Sequence, residues 1–200
     1  MKRFFWLRFC FLITSCLIFL CSCSYLKELS ALKECEFRMG TLENPVLAGV
    51  DLSKIVSVKD YSIEQTGKIT KSILQGTLPL SFILNVEAKN PNQKNASLNR
   101  LEYQAFIDNT RIAAGSVDEH IVIPAGGGIA TIPLKVETDI LDLLKKEPIN
   151  TLLNYSLNLA DNGKRPVRVS VKIKPWIAIG DKDVEYPGYL TITKDFSTGQ

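Results

Sequence analysis

Leu80-Ser81-Phe82-Ile83-Leu84-Asn85-Val86-Glu87-Ala88-Lys89-Asn90-Pro91-Asn92 decides the fold class of this chain. Leu80, Phe82, Leu84, Val86 and Ala88 alternate with Ser81, Ile83, Asn85, Glu87 and Lys89. A period of two belongs to a strand with one face in a core and the other toward water. Pro91 ends the ladder, because it has no N–H to donate and holds Asn90 in an extended conformation. The rhythm continues downstream. Leu101, Tyr103, Ala105 and Ile107 oppose Glu102, Gln104 and Asp108, the chain turns near Asn109-Thr110, and it returns through Ile112 and Ala114 to Gly115. Ile121 and Ile123 form a short strand before Pro124, and Gly126-Gly127-Gly128 reads as a slack hairpin connection. Ala130, Ile132, Leu134 and Val136 then alternate with Thr131, Pro133, Lys135 and Glu137; Pro133 demands an edge strand or a non-bonded position.

The pattern breaks once. Thr138-Asp139 offers an N-cap before Ile140, Leu141, Leu143 and Leu144, and Lys145-Lys146 suit a helix C-terminus ahead of Pro148, which predicts a short crossover helix. Alternation resumes over residues 153–159, and Asp161-Asn162-Gly163 has the composition of a tight hairpin turn. On the return strand Val167, Val169, Val171 and Ile173 face one way and Arg168, Ser170, Lys172 and Lys174 the other. Residues 189–193 alternate as well. Upstream, residues 37–39 and 46–56 read as opening strands and residues 68–74 as one or two turns of helix. Seven or eight strands without a strand–helix alternation predict an all-β antiparallel sandwich. A single domain spanning residues 35–200 is long enough to bury about 70% of its unfolded surface.

Residues 1–22 read as an export leader: Lys2 and Arg3, then an apolar run over residues 4–20 interrupted by Arg8 and by Thr14-Ser15. A spanning helix needs about 20 apolar residues, so this run is short for one. Leu20-Cys21-Ser22-Cys23 resembles the bacterial lipobox, which implies cleavage before Cys23 and lipidation of that residue. Ile13-Thr14-Ser15-Cys16 is a weaker alternative, because it leaves a hydrophobic mature start. Of five cysteines, Cys10, Cys16 and Cys21 leave with the leader. Cys23 is acylated on this reading and Cys35 has no partner, so no intramolecular disulfide is expected. Residues 23–34 then form the lipidated N-terminus and tether, with Leu26, Leu29 and Leu32 at a helical spacing. A second acyl chain makes such anchoring stable.

Composition excludes much chemistry. Lys+Arg 24 against Asp+Glu 21 gives a net charge of +3, and Lys2, Arg3 and Arg8 of the leader account for the excess. A mature chain near neutrality gives no basis for nucleic-acid binding. The single histidine, His120, precludes a two-His metal site in one copy and would have to serve any His-dependent triad. Ser116, Asp118, Glu119 and His120 crowd one strand edge instead of surrounding a cleft. Asp181, Asp183 and Glu185 alternate, but Lys182 and Tyr186-Pro187 suit an exposed loop better than a calcium site. Cys35 lies between Glu34 and Glu36, which raise its pKa and disfavour a nucleophile. There is no nucleotide-binding glycine loop and no G-x-S-x-G. The expectation is no enzyme, no cofactor and no metal. Asn95-Ala96-Ser97 and Asn154-Tyr155-Ser156 match a glycosylation triplet that means little in a bacterial envelope. Lys164, Arg165, Arg168, Lys172 and Lys174 form a basic cluster, read as a solvated outer face that is also able to attract anionic headgroups.

Val86-Glu87-Ala88-Lys89-Asn90-Pro91-Asn92, residues 98–107, Ile112-Ala113-Ala114-Gly115, Ile123-Pro124-Ala125-Gly126 and Ala130-Thr131-Ile132-Pro133-Leu134 occur in the order of the late embryogenesis abundant type 2 (WHy domain) family. The chain resembles that family best over residues 80–137, and strand rhythm extends the likeness to about residue 195. The resemblance implies an immunoglobulin/fibronectin-like β-sandwich that is non-enzymatic, associated with desiccation or other stress, and in bacteria often a lipoprotein. The matching residues are fold residues: Pro91 ends a ladder, Gly115 permits a turn or bulge, and Gly126-Gly127-Gly128 relieve a loop. Ser24-Tyr25-Leu26-Lys27 lacks the acidic signal of surface-exposed lipoproteins, which implies an outer-membrane anchor with the domain facing the periplasm. The partners expected are the membrane, through the lipid, and protein clients or an envelope partner held at a strand edge or in the gap between sheets.

Overall fold

The computed structural model describes residues 31–55, 58–107, 109–141, 167–179 and 182–196. β3 (Pro79–Lys89) forms in the place the alternation requires, and Leu80, Phe82, Leu84, Val86 and Ala88 are all buried. Each large apolar side chain so placed contributes about 1.5–3 kcal/mol relative to exposure. β3 is the inner strand of a sheet ordered β2-β1-β3-β8, with β1 at Glu36–Leu47, β2 at Val50–Asp51 and β8 at Ile129–Asp139. β8 bonds only β3 in this order, so Pro133, opposite Asn85, stands on an edge strand as its missing N–H demands.

The second sheet is ordered β10-β9-β5-β6, and all its pairs are antiparallel. β5 is Arg100–Ile107, β6 Thr110–Val117, β9 Val167–Ile179 and β10 Lys182–Glu185. β11 (Leu190–Phe196) shares the outer edge of β9 with β10: it pairs residues 167–173, while β10 pairs residues 176–179. β9 buries Val169, Val171 and Ile173 as its alternation predicts. A small ladder of β4 (Ala96–Leu98) and β7 (Ile121–Ile123) closes one end. The chain is an all-β antiparallel sandwich whose two inner faces share one apolar core.

The opening of the domain differs from expectation. Residues 37–39 and 46–56 are not two strands: β1 runs unbroken through Glu36–Leu47, and the chain leaves extended pairing after Asp51. Two irregularities, between Met39 and Leu42 and between Glu43 and Val46, shift the ladder, and Asn44 takes a positive φ of 51°. Each bulge resets the inward and outward parity, which hides a continuous strand from a search for period two. The expected helical turns at residues 68–74 belong to α1 (Ile63–Leu74), which begins earlier. Ser62 accepts from the Gln65 N–H and the Gln65 side chain accepts from the Ser62 N–H, a capping box that starts the helix five residues upstream of the apolar signal. Of the crossover helix, Asp139 accepts the Leu141 N–H as an N-cap does; residues 142–166, with the expected strand over 153–159 and its hairpin turn, lie outside the described residues. Leu32, within the segment read as tether, is 1% exposed, so the core begins upstream of residue 35.

Candidate functional site

Three groups of side chains stand out. The first is the junction where β3 leaves its sheet. Asn90 is fully buried, which obliges its amide to find partners. Its Nδ2 donates to the carbonyls of Lys94 (2.8 Å) and Ile123 (3.0 Å), and its Oδ1 accepts from the Asn92 N–H (3.0 Å) and Asn92 Nδ2 (2.9 Å). Its main chain is engaged too: Asn90 N–H donates to Gly128 and Gly127 N–H to Asn90. Asn92 accepts from Gly126 N–H, and its Nδ2 donates to the Ala31 carbonyl at 2.9 Å. Gly126 and Gly127 adopt φ of 69° and 85°, and a Cβ on Gly128 would lie 2.6 Å from Pro124 Cβ. The glycine run is therefore not a slack hairpin connection. It carries the chain from the β4–β7 ladder to β8, and Asn90 and Asn92 hold it by main-chain bonds.

The second group ties the two sheets along one side, where β6 runs beside β8. Tyr103 lies opposite Gly115, and its Oη crosses to donate to the Lys135 carbonyl at 2.5 Å. A Cβ on Gly115 would fall 2.6 Å from that Oη, so the phenol occupies the space the glycine leaves. Gly115 sits mid-strand without a turn; its role is steric, which corrects the expected turn or bulge. Burial first, then the Glu137 carboxylate, raises the Tyr103 pKa, so the hydroxyl keeps the proton it donates. On the opposite side, where β11 runs beside β1, Lys194 Nζ reaches the Gly40 carbonyl at 3.1 Å.

The third group lies on the outward face of the second sheet and its rim. His120 is exposed in the loop just before β7, and its Nδ1 lies 2.6 Å from Asn99 Oδ1. Asn99 Nδ2 donates to Asp183 at 2.7 Å, which orients the Asn99 oxygen toward the imidazole and makes Nδ1 the donor. Tertiary structure thus brings together His120 and Asp183, two residues that sequence reading weighed separately. Asp118 is engaged elsewhere, with Ser116 (2.7 Å) and Arg100 (3.0 Å), so it is not the group that orients His120. Glu185 pairs with Lys174, and Asp181 lies outside the described residues. Among the described residues, no three His, Cys, Asp or Glu side chains converge on a common point. Arg100 sits over Trp176 at 5.8 Å, Lys174 over Tyr189 at 5.2 Å and Lys172 over Phe106 at 5.1 Å. These three cation–aromatic pairs went unseen in the sequence because their partners come from different strands.

Cys35 is buried one residue before β1, and its thiol donates to the Ala31 carbonyl at 3.4 Å. Burial first, then Glu34, pushes its pKa up from 9.0 to about 11. The unfolded thiol ionises first as pH rises, so Cys35 lowers folded-state stability across the window from 9.0 to about 11. At pH 8 we expect the native protein to resist a thiol-specific maleimide and the urea-unfolded protein to react at once. Rapid native labelling at Cys35 would contradict this environment.

Cys23, Lys164 and Arg165 lie outside the described residues. Among those described, no helix is long and apolar enough to cross a membrane. No family model matches the chain, and no curated protein matches it. Solved structures similar to it include a protein from Archaeoglobus fulgidus, at 14% identity over 61% of this chain and 87% of that one, with a TM-score of 0.36. A solution structure described as a late embryogenesis abundant protein is 12% identical over 92% of this chain and 84% of that one, with a TM-score of 0.40. A solution structure from Arabidopsis thaliana is 10% identical over 59% and 70%, with a TM-score of 0.36.

Proposed function

We propose that this chain is a lipid-anchored, non-catalytic β-sandwich of the late embryogenesis abundant type 2 kind, held at the periplasmic face of a bacterial outer membrane, which shields other envelope proteins during water stress. One observation carries the reading. Asn90, Asn92, Gly115 and Gly126 to Gly128, which underlie the family resemblance, are committed to main-chain bonds or close packing and stabilise the fold. Asn90, Asn92 and the glycine run hold one end of the sandwich and Gly115 makes room for the Tyr103 ring between the sheets, as suits a module whose task is to stay folded.

Two measurements test the parts separately. Cys23→Ala should move the protein from the membrane fraction to the soluble periplasmic fraction; a protein that stays with the membrane would refute lipid anchoring at this position. For protection, the Cys23→Ala chain is dried and heated with an unrelated aggregation-prone enzyme, beside an equal mass of an inert β-sandwich. Selective retention of client activity is expected. Equal loss in both mixtures would favour the second reading, a dedicated envelope partner bound at a strand edge. That reading has its own observation: among the described residues β6 pairs with β5 alone, and it exposes Ala114, Gly115 and Ser116 without a proline or lysine to block pairing there. The gap between β6 and β8, by contrast, is bridged by Tyr103.

A further inference from the structure

A groove of about 480 Å³ runs over the outward face of the second sheet, on β11, β9 and β5. Cross-strand register builds it from two rows, Thr193, Ser170 and Phe106 in one and Thr191 and Lys172 in the next, with Gln104 across from Lys172 beyond the lining. Arg168 and Asn109 complete its lining toward the β5–β6 turn. Among the described residues that line it, two are basic and none is acidic. Lys172 is the cation that stands within these rows. Lys172 faces Thr191 and Gln104 across the strands and is held over the Phe106 ring, 5.1 Å from its centroid. Ser170 Oγ and Thr193 Oγ1 lie 3.2 Å apart, presenting paired hydroxyls beside it.

We propose that this groove binds a short stretch of an acidic polysaccharide, a chain of carboxylated sugars, with Lys172 on a carboxylate and the hydroxyls of Ser170, Thr191 and Thr193 on ring hydroxyls. The charge is complementary, since a groove lined by cations and neutral hydrogen-bonding groups recruits anions. The five residues from Arg168 to Lys172 along β9 and three adjacent strands give a footprint of about 13 Å by 10 Å, which spans about two or three sugar rings. The same lining disfavours a membrane surface. It holds no aliphatic side chain to enter an acyl layer, its one aromatic ring lies under a lysine, and hydroxyls and an amide fill the remainder. The groove also lies toward the Ile107 end of β5, whereas the chain enters β1 beside the Lys89 end of β3, near the Asn90 junction.

The test is retention of the full chain, purified in detergent, in native gels containing alginate, with uncharged dextran gels as reference. Retardation by alginate alone is expected. Lys172→Gln should weaken it by about tenfold, as the loss of one ionic hydrogen bond implies. The double variant Thr191→Val/Thr193→Val leaves charge unchanged and should weaken it as well. Lys135→Gln, on the outward face of the first sheet, should not. Unchanged melting temperatures check that each variant is folded. Equal effects of Lys172→Gln and Lys135→Gln would reduce the binding to net charge and overturn the proposal. So would an absence of alginate retardation, or Lys172-dependent binding confined to vesicles of phosphatidylglycerol and phosphatidylcholine.

Discussion

Asn90→Ala is expected to lower the stability of the domain by about 3–5 kcal/mol, because two buried carbonyls and the Asn92 donors lose their partners together and each orphaned group costs about 1–3 kcal/mol. The carbonyls are those of Lys94 and Ile123, and Asn90 has no exposed surface through which water would replace the amide. For a domain of this size the melting temperature falls by about 2–4 °C per kcal/mol, so thermal unfolding should come about 6–20 °C earlier. A loss below about 1 kcal/mol would show that the junction relaxes and that the Asn90 bonds are dispensable. Asn90→Asp separates packing from hydrogen bonding. It keeps the shape but points an oxygen at carbonyls where Asn90 has a donor. Burial and those carbonyls raise the folded-state pKa of the introduced carboxyl above its unfolded value of about 3.9. The unfolded chain then releases its proton first, so the penalty relative to the parent grows as pH rises above about 3.9 and shrinks toward acid. A penalty independent of pH would mean that the side chain swings out to solvent.

Gly115→Ala carries the second large effect. The added Cβ would sit 2.6 Å from Tyr103 Oη and 2.8 Å from Cζ, closer than such contacts occur, and the ring packs against the sheet with little room to retreat. Displacing it also breaks the bond to the Lys135 carbonyl that ties β5 to β8. A cost of about 2–4 kcal/mol follows from overpacking plus the lost hydrogen bond. The partner is identified by a double-mutant cycle in urea: in a Tyr103→Ala background Gly115→Ala should cost under about 1 kcal/mol, a coupling of at least about 1 kcal/mol. Additive effects would mean that Gly115 is needed for its backbone and not for the space it leaves. Tyr103→Phe isolates the hydroxyl and should cost about 1 kcal/mol, the usual net worth of one neutral hydrogen bond.

These two positions show where sequence reading stops. Asn90-Pro91-Asn92 is legible as a ladder stop, because Pro91 acts through its own ring and the residue before it. That the Asn90 side chain also gathers carbonyls from Lys94 and Ile123 depends on β7 folding back against β4, 33 residues away for Ile123. A signal was present: an asparagine next to a run of buried apolar residues needs partners, and a short polar loop followed by three glycines supplies main chain close by. Gly115 reads as a turn residue by habit, and only the register Tyr103 to Gly115 reveals the ring above it.

Part of the chemistry was legible from residue identity. One histidine and the carboxylates flanking Cys35 limit catalysis on residue identity alone, and the structure adds that Asp118 and Glu185 are engaged with Arg100 and Lys174. The basic face was visible as alternating charges on residues 168–174. Its aromatic caps and hydroxyl rows were not, because they come from β5 and β11, up to 66 residues upstream along the chain in the case of Phe106 and Lys172.

By itself the sequence determined which face of the regular strands such as β3, β5, β8 and β9 is buried, that β3 stops at Asn90-Pro91, and that the fold is all-β, because side-chain alternation and the geometry of Pro act within a few residues. Tertiary structure alone decided which strands pair and in what register, that β10 and β11 share one edge of β9, and that β1 continues through two irregularities. The physical reason is that ladder bonds join backbone groups common to every residue. Pairing is therefore chosen by how complete faces pack on one another, and no local run of side chains records that choice.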